Sequence, residues 1–123
     1  MSAAEDYRAT RGQAIADGAL VDVSADARRA GFACPVAFSR AAHAAVVDAT
    51  PQEWAAGLWP CARLAHVLGL VREQVRFGDR RAFTRLLWVA VDRLDGVSLH
   101  MLEVVAADTD GLGPALTLCL PLE

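Results

Sequence analysis

The strongest constraint in the chain is a pair of apolar runs, Phe83 to Val91 and Val97 to Ala106, that meet at Leu94-Asp95-Gly96-Val97. A two-residue Asp-Gly loop between β-rich segments favours a type I′ turn, because Gly tolerates positive φ and the turn's twist matches that of the flanking strands. The runs therefore predict a β-hairpin. With Asp95 and Gly96 as its loop, Val91 faces His100, Val89 faces Leu102 and Leu87 faces Val104 on one side. Ala90 with Met101, Trp88 with Glu103 and Leu86 with Val105 share the other. The first side is almost pure core. The second is apolar but interrupted by charge, as a surface awaiting a helix, a second subunit or a partner would be.

The surroundings of the hairpin are bounded by size and composition. A chain of 123 residues with 54% hydrophobic side chains can bury a core without staples, so a single domain over residues 1–123 is expected, with residues 1–9 frayed. A net charge of -3 argues against binding a polyanion over the whole surface, although a local basic patch stays possible. The three cysteines, Cys34, Cys61 and Cys119, are odd in number and widely spaced, which suits a reducing compartment better than a secreted disulfide framework. No basic segment followed by an apolar core opens the chain, and no apolar run approaches the roughly 18–20 residues of a spanning helix. The expectation is a soluble cytoplasmic protein that does not touch membranes.

Start and stop signals divide the rest. Thr10-Arg11-Gly12-Gln13 matches a capping box that opens a short helix through Asp17, closed by Gly18. Leu20-Val21-Asp22-Val23 is extended, and Ser24 caps a second short helix that ends at Gly31. Pro35-Val36-Ala37-Phe38 is again extended, after which Ser39 caps a helix with Ala42, Ala45, Val46 and Ala49 on one face. Thr50-Pro51-Gln52-Glu53 is a further capping box with Pro at the first helical position. Gly57 and Pro60 interrupt the helical pattern, leaving a kink or a turn before a long helix from about Leu58 to Phe77. Its stripe of Leu64, Val67, Leu68, Val71 and Val75 covers the core side of the hairpin. A third strand, Ala115 to Leu120, completes an α+β fold of N-terminal helices packed on a C-terminal three-stranded antiparallel β-meander.

Chemistry-bearing patterns are sparse. No two cysteines form a C-x-x-C pair, and Cys61 and His66 point about 140 degrees apart on a helix, so no metal site is expected. Asp108-Thr109-Asp110-Gly111 lacks the remaining acids of a calcium loop. Cys34 with His43, and Ser24 beside Asp22 and Asp26, are the only suggestive nucleophile groupings, and Ser24 already serves as a helix cap. Neither an enzyme nor a cofactor is indicated. Arg72, Arg76 and Arg80 at four-residue spacing, followed by Arg81 and Arg85, would line one edge if the helix ran to Arg80. Glu73, Asp79 and Asp92 nearby favour a neutralised, solvated face, with no interleaved aromatic set for stacking bases. Trp54 and Trp59 are expected as core or rim packing. Trp88 is either covered by the helices that start at Thr10 and Ser24 or left as an interface anchor.

The stretch Thr10-Arg11-Gly12-Gln13-Ala14-Ile15-Ala16-Asp17-Gly18-Ala19-Leu20-Val21-Asp22-Val23-Ser24, continued by Ala27-Arg28-Arg29-Ala30-Gly31-Phe32 and Pro35-Val36-Ala37, resembles a domain-of-unknown-function family of small bacterial proteins carried on plasmids, conjugative elements and phages. The resemblance extends more loosely through Gly57-Leu58-Trp59 and Leu116-Thr117-Leu118-Cys119-Leu120-Pro121. Pro60 and the shortened connections before the third strand depart from it. The resemblance implies a mobile-element accessory protein, a class that includes inhibitors of host defence such as anti-CRISPR proteins, and it supplies no catalytic residues. The leading expectation is a non-enzymatic protein that binds and inhibits or modulates a protein complex, with Leu86, Trp88, Leu99, Met101 and Glu103 as the partner-binding residues. The alternative is a nucleic-acid-associated module for element transfer or maintenance that uses Arg72, Arg76, Arg80, Arg81 and Arg85. In a third reading the second hairpin face makes a homodimer.

Overall fold

The computed structural model describes residues 11–75, 83–107 and 114–121. Helix α1 (Arg11–Asp17) ends at Gly18, whose φ of 81° lets its N–H reach the Ile15 carbonyl at 3.2 Å. Thr10, the expected cap, lies outside the described residues. Strand β1 (Leu20–Asp22) and helix α2 (Ser24–Arg29) follow. Val23 occupies the cap position of α2, so Ser24 does not cap as expected. Its hydroxyl donates to Asp22 Oδ1 at 2.6 Å and accepts from the Val36 N–H at 3.1 Å, tying the β1–α2 corner to the next strand. After β2 (Val36–Ser39), Ser39 caps α3 (Arg40–Val46) by accepting from the Ala42 N–H at 3.1 Å.

Helix α4 (Pro51–Ala55) carries the full capping box: the Thr50 hydroxyl accepts from the Glu53 N–H at 3.1 Å, and Glu53 Oε1 accepts from the Thr50 N–H at 3.0 Å. Pro60 opens helix α5 (Pro60–Gln74) instead of kinking it, because its fixed φ suits a first turn where no N–H is needed. The expected helix is thus trimmed at both ends to these fifteen residues, and Phe77 lies outside the described residues. Leu64, Val67, Leu68, Val71 and Val75 are all buried, as their spacing requires.

The fold is α+β, with five helices and five strands among the described residues, and the expected three-stranded meander is incomplete. Strands β3 (Phe83–Arg93), β4 (Gly96–Ala107) and β5 (Ala115–Cys119) do run antiparallel in sequence order. On its other edge, however, β5 pairs in parallel with β2, which pairs antiparallel with β1. The sheet order is β1-β2-β5-β4-β3. Every residue of β2 is buried, so this strand shows none of the alternation that marks a half-exposed strand. Its parallel partner is far along the chain and joined to it through a long crossover, which leaves no local turn signal.

The hairpin register differs from the Asp95-Gly96 loop. Arg93 pairs with Gly96, so the loop is Leu94-Asp95, and Val91 faces Ser98, Val89 faces His100, and Leu87 faces Leu102. Each pairing moves by two residues because Gly96, with φ 140°, is the first residue of β4 instead of the second residue of the turn. An even shift keeps every side chain on its expected side.

On one face, Leu87, Val89 and Val91 join Leu102 and Val104, Leu116 and Leu118, and Val36 and Phe38 beneath α2, α3 and α5. The opposite face divides in two. Its β1–β2 part is covered by α1, where Ala14 packs on Leu20 and Ala37. Arg11, buried despite its charge, donates to Thr117 Oγ1 and, at 2.8 Å, to the Leu116 carbonyl.

Candidate functional site

Val105, opposite Thr84, is buried on that second face, but among the described residues the rest of its β3–β4 half, from Leu86 to the turn, is open. Its rows are Leu86 opposite Glu103, Trp88 opposite Met101, Ala90 opposite Leu99 and Asp92 opposite Val97. Register therefore brings together all five residues expected at a partner surface, with different cross-strand neighbours, and adds Val97, which the expected turn had absorbed. Leu86 is 54%, Trp88 59%, Val97 61% and Leu99 67% exposed. Together these four present on the order of 400 Å² of apolar side chain, within the range of the largest patch on a typical monomer. Of the two helices expected to cover Trp88, α1 packs on β1 and β2, and α2 packs on the opposite face through Ala27.

Strand β3 is the sheet edge beside this patch. Because Arg93 and Gly96 close a two-residue loop, the even-numbered residues of β3 turn their backbone groups away from β4. Helix α5 meets three of the carbonyls: Arg63 Nη2 donates to Asp92 at 2.6 Å, His66 Nε2 lies 3.1 Å from Ala90 O, and Gln74 Nε2 donates to Trp88 at 3.5 Å. Arg85 in return donates to the Gln74 carbonyl at 2.8 Å. Side chains thus occupy acceptors that an incoming strand would need, which blunts the edge as a pairing template.

Behind the turn end of the hairpin lies a buried ion-pair cluster. Glu53 and Arg63 side chains, each 5% exposed, meet at 2.5 Å, and Arg63 Nη1 donates to the Asp48 carbonyl at 2.8 Å. Arg93 approaches Glu53 at 3.5 Å and donates to the Ala45 carbonyl at 2.5 Å. The Arg63 hydrogen bond, followed by the Thr50 N–H and the charges of Arg63 and Arg93, lowers the Glu53 pKa to about 2 despite its burial. Arg63 Nε is buried without a partner and sealed from solvent. The guanidinium ties the α3–α4 connection, α4 and the end of β3 together, with its charge neutralised by Glu53. Sequence reasoning found Glu53 only as a cap and missed Arg63, whose partners are 10, 15 and 29 residues away.

A shallow cleft between Leu58, Trp59, Ala62, His66, Val91 and Asp92 adjoins this cluster. Trp54 and Trp59, expected as packing residues, are 54% and 50% exposed, with Trp59 Nε1 donating to the Trp54 carbonyl at 3.2 Å. Trp54 sits in the short α4 and Trp59 in the loop after it.

Among the described residues the other candidates are not brought together. Helix α5 ends at Gln74; Arg72 donates to the Gly31 carbonyl at 3.2 Å, and Arg76, Arg80 and Arg81, the rest of the expected edge before Arg85, lie outside the described residues. His43 faces Asp48 at 3.3 Å and packs edge-on against Phe38, while burial raises the Cys34 thiol pKa, with the Arg11 charge opposing. A raised thiol pKa is the reverse of an activated nucleophile. Ser98 Oγ lies 2.9 Å from His100 Nε2, a pairing that no sequence pattern marks, but the same hydroxyl accepts from Arg93 Nε at 3.1 Å. Burial and the Arg93 charge lower the His100 pKa. Among the described residues no group of three His, Cys, Asp or Glu could hold a metal, and no helix is long and apolar enough to cross a membrane. The acidic loop at Asp108 lies outside the described residues. No family model matches the chain, and neither does a curated protein nor a solved structure.

Proposed function

We propose that the protein is a non-enzymatic binding protein that docks a partner protein on the open half of its hairpin face, and through it inhibits or modulates a protein complex. The observation that carries this reading is the concentration of Leu86, Trp88, Val97 and Leu99, all more than half exposed, on the β3–β4 part of a face that the chain covers with its own helix over β1 and β2. Exposed Trp in an apolar patch is the usual anchor of a protein interface, and the strands beneath it are fixed by a fully buried core. A mobile-element setting, with host-defence inhibition of the anti-CRISPR kind as the specific form, rests on the resemblance of residues 10–37.

The test is an affinity pull-down from bacterial lysate treated with nuclease, comparing the native chain with a Trp88→Ala/Leu99→Ala double variant whose unfolding transition is checked in parallel. A protein recovered by the native chain and lost with the folded double variant is the expected result. Equal recovery by both, or recovery abolished by nuclease, would overturn the reading.

A further inference from the structure

Resting on that reading, we infer that the occupant of the open face is a helix of a partner protein with an apolar stripe and cationic residues at both ends. Three observations lead there. First, charge: the open rows carry Asp92 near the turn and Glu103 at the far end, and no basic residue. Arg85 and Arg93 belong to the opposite side, where they bond the Gln74 and Ala45 carbonyls. A face-to-face pair of copies would therefore bring four carboxylates and, among the described residues, no cation into one interface. Burying like charges without partners is costly, whereas cations opposite these two acids turn the same positions into attraction.

Second, shape: further along this same face the chain lays its own helix α1 on β1 and β2 and reaches β5 through Arg11, so this side of the sheet already accepts a helix. Third, the edge: the β3 carbonyls of Trp88, Ala90 and Asp92 are already met by α5 side chains, which disfavours a strand added beside β3 and leaves the face as the docking route. Asp92 lies six residues along β3 from Leu86, the partner of Glu103, a span of roughly 20 Å. A helix covers that span in about 13 residues, which sets the separation of its cationic ends.

The probe is a labelled amphipathic peptide of about 16 residues with Leu at i, i+3, i+4 and i+7 spacing and Arg at both ends. A matched peptide carries Glu in place of Arg, and both are titrated by fluorescence anisotropy at low salt. The Arg peptide is expected to bind about tenfold more tightly than the Glu peptide, with the gap closing as salt rises. Asp92→Asn with Glu103→Gln should close it too, while Trp88→Ala with Leu99→Ala should weaken both peptides. Equal binding of the two peptides, still sensitive to Trp88 and Leu99, would overturn the charge inference and leave the docking face standing. Absence of binding by either, or binding indifferent to Trp88 and Leu99, would overturn both. Self-association abolished by the Trp88 and Leu99 substitutions would make a second copy the occupant and overturn the inference as well.

Discussion

Two leucines three residues apart on β4 offer the sharpest test of the open face, because the same substitution acts on opposite sides of one strand. Leu102 is 0% exposed in the main core, and Leu99 is 67% exposed opposite Ala90. Truncating a fully buried Leu to Ala removes its transfer free energy and leaves a cavity, a cost of about 3–5 kcal/mol. Leu99 keeps only a third of its surface covered, so with full burial of a Leu worth roughly 1.5–3 kcal/mol its truncation costs about 0.5–1 kcal/mol at most. With a urea slope near 1.5 kcal/mol per molar, the unfolding midpoint should fall by about 2–3 M for Leu102→Ala and by less than about 0.7 M for Leu99→Ala. Equilibrium urea unfolding followed by circular dichroism reads both. A loss at Leu99 comparable to that at Leu102 would refute the reasoning, since it would mean that something covers the face in solution. If that loss also grew with protein concentration, the cover would be a second copy.

The ion-pair cluster makes a pH prediction. The Glu53 pKa of about 2 lies below the ordinary 4.5, so its contribution to stability is complete above about pH 4.5 and drains away as the pH falls toward 2. Glu53→Gln should lower stability near neutrality and flatten that acid limb in urea midpoints measured from pH 7 down to about 2.5. Parallel acid limbs in the two proteins would contradict the assignment. The thiols should also separate in native reaction with a disulfide reagent. Exposed Cys61 should react first, Cys34 more slowly because burial raises its pKa, and buried Cys119 only on unfolding. Rapid modification of Cys119 would mean that β5 is not held as described.

The features legible in the sequence were local. The two sides of the hairpin, the α5 stripe, the Ser39 cap and the Thr50–Glu53 capping box each depend on residues a few positions apart, where periodicity and turn chemistry act directly. The register slipped because Asp-Gly is the usual two-residue loop, while here Leu94-Asp95 turns and Gly96 begins the next strand. Strands β1 and β2 were legible as extended but not as paired, since three and four residues carry too little pattern to name a neighbour. Buried Arg11 and Arg63 were invisible for a related reason. Each is a helix residue of ordinary polarity whose partners come from other elements, as far as 105 residues away for Arg11 and the Leu116 carbonyl and 29 for Arg63 and the Asp92 carbonyl. Leu86, Trp88, Leu99, Met101 and Glu103 share one side of the hairpin by the side-chain period alone, so a register shift of two residues leaves them on that side.

The middle position of β5 has a consequence for biosynthesis. Until β5 has emerged, the only strand pairs of this sheet that can form are the antiparallel ribbons β1 with β2 and β3 with β4, each with a raw inner edge. Val36, Phe38, Leu102 and Val104 then have no strand between them to close the layer. The five residues of β5 join both ribbons at once, in parallel to one and antiparallel to the other. On the ribosome, the keystone of this sheet arrives last, and until it does the chain carries two edges open to wrong partners.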